Sequence, residues 1–292
     1  MEKLSIIIVN YNAGKYLERC LESFKANPAE DVDTEVIVVD NCSTDGSADM
    51  TAEKFPWVKI IKNKENIGFA AANNIGDRNS SGEYLLFANP DIEILPNSIK
   101  LMWNHLKRDY KIAVASPQII AEDGSICPSC WNFHRLVMEI WDAVKFNKYF
   151  PKSRISLLRK MSFYSHQKFV EIVSGACMMI RKTAFEDIGG WDEDYFLYFE
   201  DDDLCYRFYK AGWLVSYYPK AKVIHHGGKS THHEGISKAR MYSGLFLFFK
   251  KHRGQIPTFL LAFVWMRKLL KYYAKYATNI ILVVQGKYEP KK

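Results

Sequence analysis

The sequence is short of the features that would classify it at a glance. Cysteine is scarce, and of Cys20, Cys42, Cys127, Cys130, Cys177 and Cys205 only Cys127-Pro-Ser-Cys130 has the spacing of a ligand pair. No second Cys or His pair accompanies it, which argues against a structural zinc site. Scattered thiols of this kind suit a reducing cytosol rather than a disulfide framework. No apolar run reaches the ~20 residues that cross a bilayer. The first such run, Leu4-Ser5-Ile6-Ile7-Ile8-Val9, is too short for a signal h-region and carries no small-residue cleavage site. No RNP, zinc-finger or basic-helix pattern is present, so nucleic acid is not an expected partner. A formal charge of +7 over 292 residues is mild. It is compatible with phosphate-bearing substrates or an anionic membrane surface. The expectation is a cytoplasmic protein, soluble or peripheral on the cytoplasmic face of a membrane.

What is present is ample core material, with 48% hydrophobic and 14% aromatic residues, enough for one large α/β domain or two smaller ones. The first half alternates strand and helix. Leu4–Val9, Glu35–Val39, Val58–Ile61 and Glu83–Ala88 read as strands. Lys15–Ala26, Ser47–Phe55, Gly68–Arg78 and Ser98–Asp109 read as the helices between and after them. Alternation with short links predicts an open, mostly parallel, right-handed sheet, whose ligands bind beyond the carboxyl ends of the strands. Asn10, Asp40 and Asp91 all fall at that rim.

Residues 123–168 lose the alternation and read as a variable insertion over the site. Order returns with strands through Ile172 and Ile180, and a short helix capped by Thr183 runs to Ile188. A helix over Asp201–Ala211 ends at Gly212, and short strands follow at Trp213–Tyr217 and Lys222–Ile224. From Tyr242 the character changes. "LFLFFKKHRG" and "FLLAFVWMRKLLKYYAKYATNIILVV" mix aromatic and aliphatic residues with Lys250, Lys251, Arg253, Arg267, Lys268, Lys271 and Lys275. That is the composition of an interfacial amphipathic helix. A helix pair packed on the domain with solvated lysines is the plain alternative. The expected division is a catalytic domain over 1–240 and a helical, basic-aromatic tail over 241–292.

One stretch poses the chemical question. "YLLFANPDIEI" (84–94) is a buried-looking strand that stops on Asn-Pro-Asp. Asn-Pro marks turns, so Asp91 is either turn chemistry or a ligand. "YFEDDDLCYR" opens a helix with four acids, Glu200 to Asp203. Acids at a helix N-terminus suit its dipole, yet four adjacent carboxylates repel one another more than capping requires.

Five stretches stand in order: "IIIVNYNAGKYLERCLESF", "VIVVDNCSTDGS", "NIGFAAANNIG" with "LLFANPDIEI", "GGWDEDYFLYFEDDDLCYRFYKAGW", and "VIHHGGKST". Together they closely resemble the inverting nucleotide-sugar glycosyltransferases of family 2, in the rhamnosyl- and galactofuranosyltransferase-like branch that builds surface polysaccharides. The resemblance covers about residues 4–232, with 123–168 unmatched. It implies the GT-A fold, a Rossmann-like αβα sandwich. It also implies a UDP- or dTDP-sugar donor, a glycan or lipid-linked acceptor, and Mn²⁺ or Mg²⁺.

The resemblance assigns roles residue by residue. Asp91 matches the second carboxylate of the family's Asp-x-Asp metal motif. Asn89 stands at the first place, where a neutral amide is a weaker ligand and faces the ribose or a metal-bound water instead. His225 matches the metal-ligating histidine, and imidazole beside phosphate suits manganese. Asp40 reads the base and ribose, although a carboxylate there also serves simply to cap the next helix. Asn10 and Asn12 enclose the base, and Asn66, Gly68 and Asn73 back the nucleotide. Lys229 and the neighbouring glycine amides cradle the diphosphate. Asp201 is the expected general base, and Glu200 orients acceptor hydroxyls. Trp191, Asp192 and Tyr195 are acceptor-side candidates whose alternative is to brace their loop. Gly175 leaves room for the acceptor. A homo-oligomer is left open. Two other readings compete: a sugar-nucleotide nucleotidyltransferase, disfavoured because "NYNAGKYLERC" lacks an Arg/Lys glycine-rich phosphate loop, and a non-catalytic membrane-associated scaffold.

Overall fold

The N-terminal run is apolar without interruption because both its faces are covered. In the computed structural model, which describes residues 2–29, 31–143, 163–227, 234–263 and 266, it forms β1 (Lys3–Asn10), hydrogen-bonded on either side to β2 (Asp33–Asp40) and β4 (Tyr84–Ala88). Leu4, Ile6 and Ile8 share a buried cluster with Leu17, Leu21 and Phe24 of α1 (Gly14–Ala26) and Ile99, Met102 and Leu106 of α4 (Ser98–Arg108). On the other face Val9, Ile37 and Val39 meet Ala72 of α3 (Phe69–Arg78). With α2 (Ser47–Lys54) and β3 (Val58–Lys62) these elements build the parallel half of the sheet.

The whole sheet has the order β3-β2-β1-β4-β10-β6-β11-β5, with β8 (Lys168–Phe169) added on β11. Here β5 is Ile92–Ile94, β6 Ile112–Ile120, β10 Cys177–Arg181 and β11 Leu214–His225. The two-residue strands β7 (Cys130–Trp131) and β9 (Ile172–Val173) pair separately. β10 runs antiparallel to β4 and β6, whereas β11 is parallel to β6. The sheet is therefore mixed but mostly parallel, an α/β sandwich as expected. The remaining helices are α5 (Leu136–Ala143), α6 (Lys182–Asp187), α7 (Glu200–Lys210) and α8 (Glu234–His252).

Four local expectations need correction. The sequence reading placed no element in 110–122, yet β6 lies there with eight of its nine residues buried. Pro117 hides it, because a proline inside an apolar run argues against a central strand. Here it faces Tyr218, beside a register shift between Tyr218 and Lys222 that absorbs the missing donor. The same bulge explains why the two short strands expected at 213–224 are one strand of 12 residues. Thr183 is not a cap, since α6 begins at Lys182 after Arg181 without a side-chain cap bond. Of the strand expected from Val170 through Ile172 only Ile172 is in a strand, β9, because Val170 and Glu171 form the link between β8 and β9.

The chain divides into two compact units, Met1–Phe133 with Arg154–Gly244, and His134–Ser153 with Leu245–Lys292. Within the smaller unit the Arg253 guanidinium donates to the His134 carbonyl at 3.1 Å, and His134 meets the Phe248 ring. Among the described residues no helix is long and apolar enough to cross a membrane.

The fold makes a packing prediction. A Cβ on Gly76 of α3 would lie 2.4 Å from Ile7 Cγ2. Gly76→Ala should therefore cost about 1–3 kcal/mol by overpacking. Combined with Ile7→Ala it should cost less than the two single changes summed, read from urea-unfolding midpoints.

Candidate active site

The rim begins where β1 and β2 end in register, Asn10 beside Asp40. Both side chains are buried, so their polar atoms must be satisfied within the protein. The Asn10 amide donates to Asp40 Oδ1 and Ser47 Oγ, each at 2.7 Å, and to Ser43 Oγ at 3.1 Å. Asp40 Oδ2 accepts from the Ser43 N–H at 3.0 Å. Asn12, in the left-handed region at φ +52°, accepts from the Thr44 N–H at 2.8 Å. Asn10, Asn12 and Asp40 thus form one bonded wall around the 41–47 loop. Asp45, not Asp40, engages the start of α2, accepting from the Ser47 N–H at 3.0 Å.

The Asn66–Asn73 stretch is placed differently from expectation. Asn66 Oδ1 accepts from the Gly68 N–H at 3.0 Å, and Asn41 donates to the Gly68 carbonyl. Gly68 has φ +91°, and a Cβ there would meet the Phe196 carbonyl at 2.7 Å. The close approach that glycine permits is therefore to the loop before α7. Asn73 turns its amide onto the Phe69 carbonyl of its own helix at 3.1 Å. Its neighbour Asn74 does the bridging: it donates to the Trp191 carbonyl at 2.8 Å and accepts from the Trp191 N–H at 3.0 Å.

The Asn-Pro-Asp turn stands at the carboxyl end of β4. The Asn89 N–H donates to the Ala176 carbonyl at 2.8 Å, tying the turn to the segment that enters β10. Asp91 is 6% exposed, and its Oδ1 lies 3.1 Å from His225 Nε2. A buried carboxylate and an imidazole drawn from positions so far apart in sequence meet because β5 and β11 pair antiparallel, His225 opposite Ile92. His226 points elsewhere. Its N–H donates to the Asp91 carbonyl at 3.0 Å, its Nε2 lies 2.7 Å from Glu93, and its Nδ1 contacts Glu122. His225, the histidine that the resemblance singles out, is the one that strand phase turns toward Asp91. As donors, Asp91 and His225 fit a divalent cation with mixed oxygen and nitrogen preference. Among the described residues no group of three or more His, Cys, Asp or Glu is set to hold a metal.

The four acids of α7 are sorted by their partners. Asp201 Oδ2 accepts from the Gly175 N–H at 2.8 Å. A Cβ on Gly175 would meet Asp201 Cβ at 3.2 Å, so this glycine makes room for the acid rather than for an acceptor. Asp202 accepts from Trp131 Nε1 at 3.0 Å. Asp203 is paired with Arg207 Nε at 2.6 Å. Glu200 is buried, and its Oε2 has no hydrogen-bond partner among the described residues. Burial, then the charges of Asp202 and Glu200, push Asp201 well above the usual carboxylate range. Burial, with Asp202 adding, pushes Glu200 up to about 8.

Trp191 and Tyr195 are each 2% exposed. Trp191 packs edge-on to Phe69 and Phe87. A ring enclosed on that scale braces its loop and presents no face for a sugar, which corrects the acceptor-side expectation for both residues. Asp192 shapes the same loop by accepting from the Asp194 N–H at 3.1 Å. Lys229 lies outside the described residues. Trp131 and Asn74 were missed by sequence reasoning. Trp131 sat in the unmatched stretch, and Asn74 was separable from Asn73 only by helical phase.

The chain matches the sequence profile described as Glycosyl transferase family 2 over residues 5–189, and that described as N-terminal domain of galactosyltransferase over residues 156–234. It is 32% identical over 240 residues, 78% of this chain and 77% of the relative, to the N-acetylglucosaminyl-diphospho-decaprenol L-rhamnosyltransferase of Mycobacterium tuberculosis. It is 26% identical to Rhamnosyltransferase WbbL of Escherichia coli, over 80% of this chain and 85% of that one. Among solved structures, a mannosyltransferase from Pyrobaculum calidifontis in complex with GDP-Man and Mn²⁺ superimposes with a TM-score of 0.59 at 17% identity. That alignment covers 97% of this chain and 75% of the other, and establishes a shared fold.

The raised acids have a thermodynamic consequence. A carboxyl whose folded pKa exceeds its unfolded value of about 4 favours folding while protonated, and this contribution is lost as pH rises toward the folded value. For Glu200 that window runs from about 4 to about 8. Glu200→Gln should therefore gain stability relative to the parent between those limits, with the two converging near pH 4. Thermal unfolding across pH measures the difference.

Proposed function

This chain belongs to glycosyl transferase family 2 and is a glycosyltransferase, and from that premise we propose an inverting, metal-dependent reaction. The donor is a UDP- or dTDP-linked sugar, rhamnose, galactofuranose or a similar hexose. The acceptor is a hydroxyl of a glycan or lipid-linked intermediate in surface polysaccharide synthesis. The observation that carries the reading is the Asp91–His225 pair at 3.1 Å, standing on the same rim as Asp201. The rim is continuous: Asn89 binds the Ala176 carbonyl, and the adjoining Gly175 binds Asp201.

In this reading Asp91 and His225 hold Mn²⁺ or Mg²⁺, which when bound neutralises charge on the leaving diphosphate. Asn10, Asn12, Asp40 and Asn66 form the nucleotide side, with Asn89 facing the ribose. Asp201 takes the acceptor hydroxyl's proton as that oxygen forms its bond to the anomeric carbon. The bond from that carbon to the diphosphate breaks on the opposite face, which inverts the centre. A carboxyl whose proton affinity is raised by burial is a stronger base than a solvated one. Glu200 orients the acceptor.

The smaller unit supports a second part of the proposal, a peripheral site on the cytoplasmic membrane face. Residues 255–263 are helical, and Ile256, Phe259, Leu260 and Phe263 are exposed at 77%, 73%, 43% and 65%. Lys250 and Lys251 precede them, and basic-aromatic sequence follows. Such a mixture suits an anionic interface.

Asp91→Ala should abolish Mn²⁺-dependent binding of a nucleoside diphosphate, measured by calorimetry with and without the ion. Asp201→Asn should bind as the parent does while turnover falls by about 10²–10⁴-fold. Parent-like transfer by both variants would overturn the assignment. Deleting residues from 256 onward should release the protein from anionic vesicles, and unchanged co-sedimentation would refute membrane contact.

A further inference from the structure

The turn that delivers the acids is strained and held from two sides. Tyr198 and Phe199 have φ of +73° and +74°, a left-handed conformation for two successive aromatic residues, and Glu200 follows at once. Such a conformation is costly for a side chain and persists only where its surroundings impose it. On one side Gly68 lies against Phe196, and the Phe69 N–H donates to the Phe196 carbonyl at 2.8 Å. On the other side α8 approaches at Gly244, where a Cβ would lie 2.7 Å from the Tyr198 carbonyl and 2.9 Å from Phe199 Cβ. One turn earlier on α8, the Arg240 guanidinium sits over the Phe196 ring, 4.5 Å from its centre.

We infer that Gly244 and Arg240 are positioning residues for transfer: with Gly68 they clamp the Phe196–Phe199 turn and thereby fix where Glu200 and Asp201 stand. The inference rests on the glycosyltransferase reading and extends it to α8, a helix that crosses the boundary expected at residue 240. It also connects the two halves of the site. The Asn66–Gly68 segment on the nucleotide side and the first residues of α7 share this one turn, so displacing the turn moves the acids while leaving Asp91 and His225 on their own strands. Shifts of about 1 Å in reacting groups cost on the order of 100-fold in rate.

Gly244→Ala tests the clamp. The expected result is a fall in kcat of about 10- to 100-fold, with donor KM and Mn²⁺-nucleotide affinity within about twofold of the parent, and faster amide hydrogen exchange across 198–203. Met241→Ala, an exposed site on the same helix, should match the parent in all of these. If Gly244→Ala does not fold, Arg240→Met decides, removing the charge over Phe196 without adding bulk. It should lower kcat by about threefold, the size of a partly exposed cation–π contact, with donor affinity again kept. Parent-like kcat, or donor affinity lost in step with kcat, would overturn the inference. So would unchanged exchange at 198–203, a readout that does not depend on the reaction. A parent protein that transfers no sugar would instead sink the functional reading, while the exchange comparison still judged the clamp.

Discussion

The pairing of β5 with the end of β11 is the constraint on which the site depends. β5 has three residues, too few to be stable alone, and it is held at the sheet edge by register with Val223–His225. That register sets His225 against Asp91, while the His226 N–H reaches the Asp91 carbonyl and the His226 ring spans Glu93 and Glu122. The carboxylate and the imidazole are thus fixed by backbone bonds on both strands rather than by side-chain flexibility. A site built this way keeps its spacing without the ligand, which is what a preorganised electrostatic site requires.

The acidic helix shows the opposite economy. Four carboxylates in its first turn repel one another, and Glu200, buried, and Asp201, partly buried, stand there at a cost visible in their raised proton affinities. The fold relieves this selectively. Asp203 is paired with Arg207, Asp202 is held by Trp131, and Asp201 receives two backbone N–H groups, from Gly175 and Asp202. Arg207 also binds the carbonyls of Ile188 and Gly190, so the same cation secures the Gly-Gly turn behind the loop. Proton affinity is raised at Glu200 and Asp201, while Asp202 and Asp203 beside them are held by Trp131 and Arg207.

Much of the fold was legible because it rests on local rules. Continuous apolar strands, helices at 3.6-residue spacing and short links identified the parallel half with ends correct to within about two residues, the usual scatter of helix and strand ends. The antiparallel half was less legible. Pro117 disguised β6, and a bulge made one long strand read as two. The site divides along the same line. Asp91, Asp201 and His225 were singled out by the motifs around them, and the structure adds their partners, His225 beside Asp91 and Gly175 on Asp201. Glycine was misread twice, because a glycine announces that something approaches closely without saying what. At Gly68 the neighbour is Phe196, and at Gly175 it is Asp201. Trp191 and Tyr195 were recognised as aromatic but not as enclosed, since burial depends on partners from α3, β4 and α6.

By itself, the sequence determined the residue types the chemistry needs, the family, and the strand-helix alternation, because each is written in neighbours a few positions apart. Only the tertiary structure decided what His226 binds, which acid meets Gly175, and which asparagine bridges to Trp191. Those choices depend on strand phase, helical phase and long-range register. A shift of one residue exchanges the faces of a strand, and no local pattern in the chain records where that register is set.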